Sequence, residues 1–199
     1  MTSHDVVNRV RRKTKVKRVG HGGTLDPLAE GVLVIAVGRE NTKLLDTYVK
    51  GDKEYAATLK LGYNSATDDE EGEKTEIDTT RKPELTEIEH VVKEFIGTIK
   101  QTPPHYSAIK INGKEAYKRI RKGEDFKMEE RNVFVKNIEI QKYDHPFIEL
   151  RIECGTGVYI RSLARDIGTK LKTGAYLSKL VRTRVGEFEL SSAKTIDKL

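Results

Sequence analysis

The sequence predicts an α+β fold, and three observations carry that reading. Stretches with helical spacing and stretches that alternate like strands are interleaved along the chain, with no repeat, low-complexity tract or linker between them. Both kinds of element are therefore expected in one unit over residues 1–199. The composition, 36% hydrophobic and 34% charged, suits a folded chain with a highly charged surface rather than a disordered one.

Taken in order, Thr2-Ser3-His4-Asp5 supplies a hydroxyl cap and a first-turn acid ahead of Val6, Val7 and Val10 at helical spacing. A short first helix follows from that. Residues 20–30 read as a glycine-rich loop, and "GVLVIAV" (31–37) as a buried strand, because it is short, β-branched and bounded by Gly31 and Gly38. "NTKLLDTYVK" (41–50) has helical spacing, and "KEYAATLKLG" (53–62) alternates as a strand. "SATDDEEGEKTE" (65–76) is acidic and aperiodic, so it is expected as an exposed loop. Thr86 and Glu89 have capping-box spacing, and Ile88, Val91, Val92, Phe95 and Ile96 form a stripe, which together predict a helix over 86–97. Pro103-Pro104 forces an extended stretch. Two alternating runs, "NVFVKNIEIQ" and "FIELRIEC", flank a polar turn at Asp144 to Pro146 and predict a hairpin. A helix over about 158–172 and a basic strand near 180–190 complete the chain.

The net charge of +6 and a pI near 9.2 favour a polyanionic partner. Seven of the ten residues in "RVRRKTKVKR" (9–18) are basic, and Lys170, Lys172, Lys179, Arg182 and Arg184 form a second basic set. A third lies in the lysine-rich segment from 110 to 122, while acids gather at 68–73. Any one such run reads as a solvated helix face, but their segregation suits a positive face for nucleic acid. Cys154 is the sole cysteine and the histidines are scattered, which argues against a disulfide framework or zinc site and for a reducing, cytoplasmic setting. Neither G-x-G-x-x-G nor G-x-x-x-x-G-K-[ST] occurs, so no nucleotide cofactor is expected. No stretch is long and apolar enough for a membrane helix.

Asp26 follows Gly22, Gly23 and Thr24 and precedes Pro27, so the backbone is free before the acid and fixed after it. Read locally, it is either a turn or cap aspartate or a carboxylate held rigidly for chemistry. His21 is likewise either a loop histidine satisfying the backbone or a functional group. Arg161 is either a surface ion-pair residue or the partner of a buried carboxylate.

Five motifs in order decide between these readings. "GHGGTLDPLAEGVL" is similar to the pattern G-H-x-G-T-L-D-P-x-A-x-G-x-L of the TruB-type tRNA pseudouridine synthases. "KEYAATLKLG" resembles that family's lysine-tyrosine strand, and "QTPPHYSAIKINGKEAY" its RNA-gripping thumb. "GVYIRSLARDIG" and "LVRTRVGEF" resemble its tyrosine-arginine and leucine-arginine motifs. The resemblance implies a pseudouridine synthase fold, with a mixed, mainly antiparallel sheet flanked by helices and a thumb inserted at about 101–131. It makes Asp26 the catalytic aspartate, Tyr55 the aromatic residue against the target base and Arg161 the ion-pair partner of the aspartate. Tyr159 and Leu180 would line the pocket. His21, Gly22, Thr24, Lys43, Tyr106, Lys110 and Arg182 would contact RNA. The implied substrate is the T-loop of tRNA, with no metal, no cofactor, no membrane and no obligatory protein partner, the enzyme acting as a monomer. The order of steps at Asp26, by attack on the sugar, by glycal formation or by addition to the base, stays open.

Two departures from the family pattern are expected to matter. A strand with a lysine-proline-glycine motif usually precedes the T-S-H-D-like start, whereas this sequence begins "MTSHDVV", and it ends at "SSAKTIDKL" with no PUA-type domain after it. The alternative to an enzyme is a noncatalytic RNA-binding or tRNA-folding module on the same scaffold. A second is the guide-RNA-dependent branch of the superfamily, which the acidic insertion and thumb sequence disfavour.

Overall fold

A computed structural model describes residues 1–77, 80–111 and 113–198. Along the chain run α1 (Ser3–Thr14), β1 (Val19–Gly22), β2 (Glu30–Gly31), β3 (Val34–Val37), α2 (Arg39–Lys43) and α3 (Leu45–Tyr48). There follow β4 (Lys53–Leu61), β5 (Tyr63–Ser65), β6 (Lys74–Glu76), α4 (Leu85–Lys93) and β7 (Gly97–Gln101). The thumb holds β8 (Lys110–Ile111), β9 (Lys114–Glu115) and α5 (Ala116–Ile120), with Asn112 outside the described residues. The chain then forms β10 (Arg131–Asp144), β11 (Phe147–Cys154), α6 (Ile160–Lys170), β12 (Ala175–Val185) and β13 (Phe188–Glu189). The elements form two compact units, Met1–Ala56 with Leu180–Leu199, and Ala57–Lys179, and the chain passes between them within β4 and β12. No helix among the described residues is long and apolar enough to cross a membrane.

In the first unit α1 begins as the sequence requires. Thr2 accepts from the Asp5 amide, and the Asp5 carboxylate accepts from the Thr2 amide, which completes a capping box. Val7 and Val10 bury against Val19, with Val6, Ile35 and Val37 packed around them. Full burial of each such side chain contributes about 1.5–3 kcal/mol. The expected strand at 31–37 is split: Val34–Val37 pairs antiparallel with β1, whereas Glu30–Gly31 pairs in parallel with β12 at Val181 and Arg182. Strand β1 lies where a loop was expected. Its sequence, Val-Gly-His-Gly, has no strand signature and is extended because β3 offers it a ladder. The helical run at 41–50 resolves into the two short helices α2 and α3.

In the second unit the strands lie in the order β12-β4-β11-β10-β7. The hairpin expected at 131–154 forms with Ile138 opposite Ile152 and Ile140 opposite Leu150. Alternation puts Val133, Val135, Ile148, Leu150, Ile152 and Cys154 inside. Helix α4 packs against β10 and α6, burying Ile88, Val91 and Val92. The capping box at Thr86 and Glu89 does not form. The chain leaves Pro83 extended, Glu84 becomes the N-cap without a side-chain bond, and Thr86 already lies inside the helix.

The acidic stretch is a second correction. Residues 63–76 make the β5–β6 hairpin, Tyr63 opposite Glu76 and Ser65 opposite Lys74, and within its turn Asp69 is 2% exposed and bridges Leu177 on β12. An exposed loop would have left Asp69 in water.

Candidate active site

The loop between β1 and β2 carries Asp26, and several fixed points hold that loop. Its Leu25 amide donates to Ser3 Oγ at 3.0 Å, at the start of α1. The Ala29 amide donates to the Asp26 carbonyl at 2.9 Å, a turn in which Pro27 presets φ at the second position. Beneath the loop lies Arg182, only 2% exposed, which donates from Nε to the Val32 carbonyl at 2.8 Å and from Nη2 to the Gly23 carbonyl at 3.0 Å. A longer contact runs from Nη1 to the Thr24 carbonyl at 3.5 Å. Gly31 adopts φ +103, and a Cβ there would lie 2.2 Å from the Arg182 carbonyl, so only glycine lets β2 approach β12. At Gly22 a Cβ would meet Val49 Cγ1 at 2.1 Å, so packing against Val49 leaves no room for a side chain there.

Asp26 itself is half-buried. Tyr55 on β4 and Leu180 on β12 are buried in the same unit, 8% and 6% exposed. His21 stands on β1 with its Nδ1 buried and without a hydrogen bond among the described residues. Burial first, then the charges of His4 and Arg182, hold its pKa below the ordinary histidine value. Lys43 is exposed and 3.4 Å from Glu40. Arg182, expected at the RNA surface, is instead spent on backbone carbonyls inside the unit.

The second unit presents Arg161, near the start of α6, 5% exposed. Its Nη1 lies 3.4 Å from Asp69 Oδ2 and donates to the Thr67 carbonyl at 3.2 Å, while Nη2 donates to the Tyr106 carbonyl at 3.1 Å. The other carboxylate oxygen of Asp69 accepts from Thr67 Oγ1 and, at 3.0 Å, from the Glu71 amide. One guanidinium thus joins the acidic turn to the start of the thumb. Tyr159 precedes α6 and is gripped by Gln101: its amide donates to Oε1 at 2.8 Å and its carbonyl accepts from Nε2 at 3.1 Å. The guanidinium of Arg131 lies 5.1 Å from the Tyr159 ring centre.

Tyr106 is 37% exposed and Lys110 lies exposed on β8. The thumb is less uniformly positive than its lysines suggest, because Lys118 pairs with Glu115 at 3.1 Å and Arg119 with Glu124 at 2.7 Å. The His105 and Phe126 rings stack 5.6 Å apart and join its two ends. Among the described residues no three His, Cys, Asp or Glu side chains converge as a metal site requires.

Sequence reasoning missed Asp69, Gln101 and the burial of Arg182. The available signal for Asp69 was the pair of arginines at 161 and 165, one helical turn apart, which need acids to face.

Residues 11–160 match "TruB family pseudouridylate synthase (N terminal domain)" and residues 161–199 match "tRNA pseudouridylate synthase B C-terminal domain". A "tRNA pseudouridine synthase B" of Corynebacterium diphtheriae is 46% identical over 209 residues, covering 100% of this chain and 68% of the relative. One of Parabacteroides distasonis is 46% identical over 195 residues, covering 95% and 83%. Among solved structures, the "Crystal Structure of a Cbf5-Nop10-Gar1 Complex" matches with a TM-score of 0.73 and 31% identity over 95% of this chain. The "Crystal structure of the archaeal box H/ACA sRNP Nop10-Cbf5 complex" gives 0.71 and 29% over 99%. This chain spans 46% and 48% of those two solved chains. With motif, fold and family match in agreement over its length, the chain belongs to the TruB family of pseudouridylate synthases.

Proposed function

We propose that this protein isomerises uridine to pseudouridine in the T-loop of tRNA, using Asp26 as the catalytic carboxylate. The observation that carries the reading is the loop that bears Asp26, held by Ser3, by the Arg182 fork and by β2, within a chain that matches the family over residues 11–160. A carboxylate held in this way suits a step in which the N1–C1′ bond of uridine breaks and the base, after rotating, rejoins through C5. Arg161 serves as the counter-ion that keeps Asp26 ionised, since an opposite charge within ~4–6 Å favours the anion. Tyr55 offers a flat face to the target base and a hydroxyl for the late C5 proton. Tyr159 and Leu180 line the pocket.

The target uridine must leave its stack, at a cost of a few kcal/mol that phosphate contacts offset. His21, Gly22, Thr24, Lys43, Tyr106 and Lys110 are the proposed RNA contacts, and recognition rests on the folded shape of the loop. The protein acts in the cytoplasm as a monomer, without metal, nucleotide or an obligatory partner subunit.

Asp26→Asn tests the reading. Pseudouridine mapping on T-arm RNA should detect no turnover by the variant, with RNA affinity within about tenfold of wild type, a difference of ~1.4 kcal/mol. Turnover by the asparagine variant would remove Asp26 from the reaction, and an inactive wild type that still binds RNA would leave the binding-module reading.

A further inference from the structure

Helix α6 carries a second arginine, Arg165, one turn beyond Arg161 and so on the same face. Like Arg161, it joins an aspartate of the acidic turn to a backbone carbonyl at the start of the thumb. Nη1 donates to Asp68 Oδ2 at 2.8 Å, Nη2 to the Thr102 carbonyl at 2.9 Å, and Nε to Asp166 at 2.9 Å. Ser162 Oγ donates to the same Thr102 carbonyl at 2.8 Å. The two arginines thus form two rungs between the acidic turn and the start of the thumb. The inner rung, Arg161 with Asp69, is 5% and 3% exposed in its side chains, and the outer rung, Arg165 with Asp68, is 28% and 13% exposed.

Asp68 and Asp69 are consecutive, and Asp68 is held at φ +62 with its carbonyl accepting from the Leu177 amide at 3.0 Å. The two carboxylates therefore hang from one backbone turn that the Leu177 amide holds. Burial raises the Asp68 pKa, against which Arg165 acts first and Arg161 second. With Arg165 removed, Arg161 becomes the main cation near a carboxylate that is otherwise stranded.

We propose that Arg165 is a positioning residue for the reaction: by engaging Asp68 it leaves Arg161 to Asp69 and the Tyr106 carbonyl, and so sets the alignment of the inner arginine. The proposal rests on the functional reading above, in which Arg161 serves the reacting carboxylate.

The test compares Arg165→Gln, Asp68→Asn and the double variant. Single-turnover pseudouridine formation on T-arm RNA, with enzyme in excess, should slow by about tenfold to a hundredfold in Arg165→Gln, the scale of a misplaced catalytic group, with RNA affinity within about threefold. The double variant should recover to within about threefold of wild type, because the stranded carboxylate is gone while Ser162 still holds Thr102. A merely structural role predicts additive losses instead. An Arg165→Gln rate within about twofold of wild type, or a double variant as slow as Arg165→Gln, overturns the proposal. Hydrogen exchange supplies an arm independent of activity: amides at 67–71 and 105–107 should exchange faster in Arg165→Gln and return to wild-type rates in the double variant. Unchanged exchange in the single variant also overturns it. If wild-type protein forms no pseudouridine, the functional reading fails, and the exchange arm alone judges the two-rung coupling.

Discussion

Arg182→Met separates two roles for one residue, as RNA contact or as internal brace. Arg182 makes two short charge-assisted bonds, at 2.8 and 3.0 Å, and one long contact at 3.5 Å. A hydrogen bond to a charged group contributes about 1.5–3 kcal/mol net, so the two short ones contribute about 3–6 kcal/mol. Methionine fills much of the volume and removes the charge's own desolvation cost, but it leaves the Val32 and Gly23 carbonyls without their donors. The expected loss is about 3–5 kcal/mol, which at about 2–4 °C per kcal/mol for a chain of this size lowers the melting temperature by roughly 6–20 °C. Calorimetry gives the total, and hydrogen exchange over residues 19–37 shows that the loss lies in the first unit. RNA affinity of the folded variant, measured across a salt series, should keep the wild-type slope, because a residue that touches no phosphate releases no counterion. A melting temperature within about 2 °C of wild type, together with a slope reduced by roughly 0.7, would put Arg182 on the RNA and refute the brace.

The thumb lysines are expected to act unequally. Neutralising Lys110 and Lys114 should flatten the log–log salt dependence by up to roughly 0.7 each, whereas Lys118→Gln, already paired with Glu115 at 3.1 Å, should change it less, and equal effects would contradict this. His21 should titrate below the ordinary value of 6.5. Because its pKa is lower folded than unfolded, its contribution to stability is full above the unfolded pKa and is lost as pH falls through the folded one. An imidazole NMR titration with a midpoint at or above 6.5 would contradict its burial, and His21→Gln should flatten the acid limb of the stability profile.

The elements that were legible in the sequence are those whose signal is local. Thr2 and Asp5 announce α1 because a capping box needs only residues three apart, and the β10–β11 hairpin announces itself through period-two alternation on both sides of one turn. Thr86 and Glu89 have the same spacing without the result, because the extended chain after Pro83 starts the helix at Leu85 and places Thr86 inside it. Strand β1 lacks any local signal, and it forms because Val34–Val37 offers a ladder.

By itself, then, the sequence determined the α+β class, the long strands, α1 and α6, and, through motif order, the family and its candidate residues Asp26, Tyr55 and Arg161. Only the tertiary structure decided which charges are buried. Asp69 sits in a run that reads as solvated, and Arg182 in a strand whose basic residues all read as surface. The physical reason is one of range. Periodicity reports which neighbours share a face, but a charge can be taken out of water only where groups from elsewhere in the chain satisfy it. Those groups are far away in sequence: Arg161 reaches the turn at Thr67 and Asp69 from α6, and Arg182 reaches Val32 and Gly23 from β12.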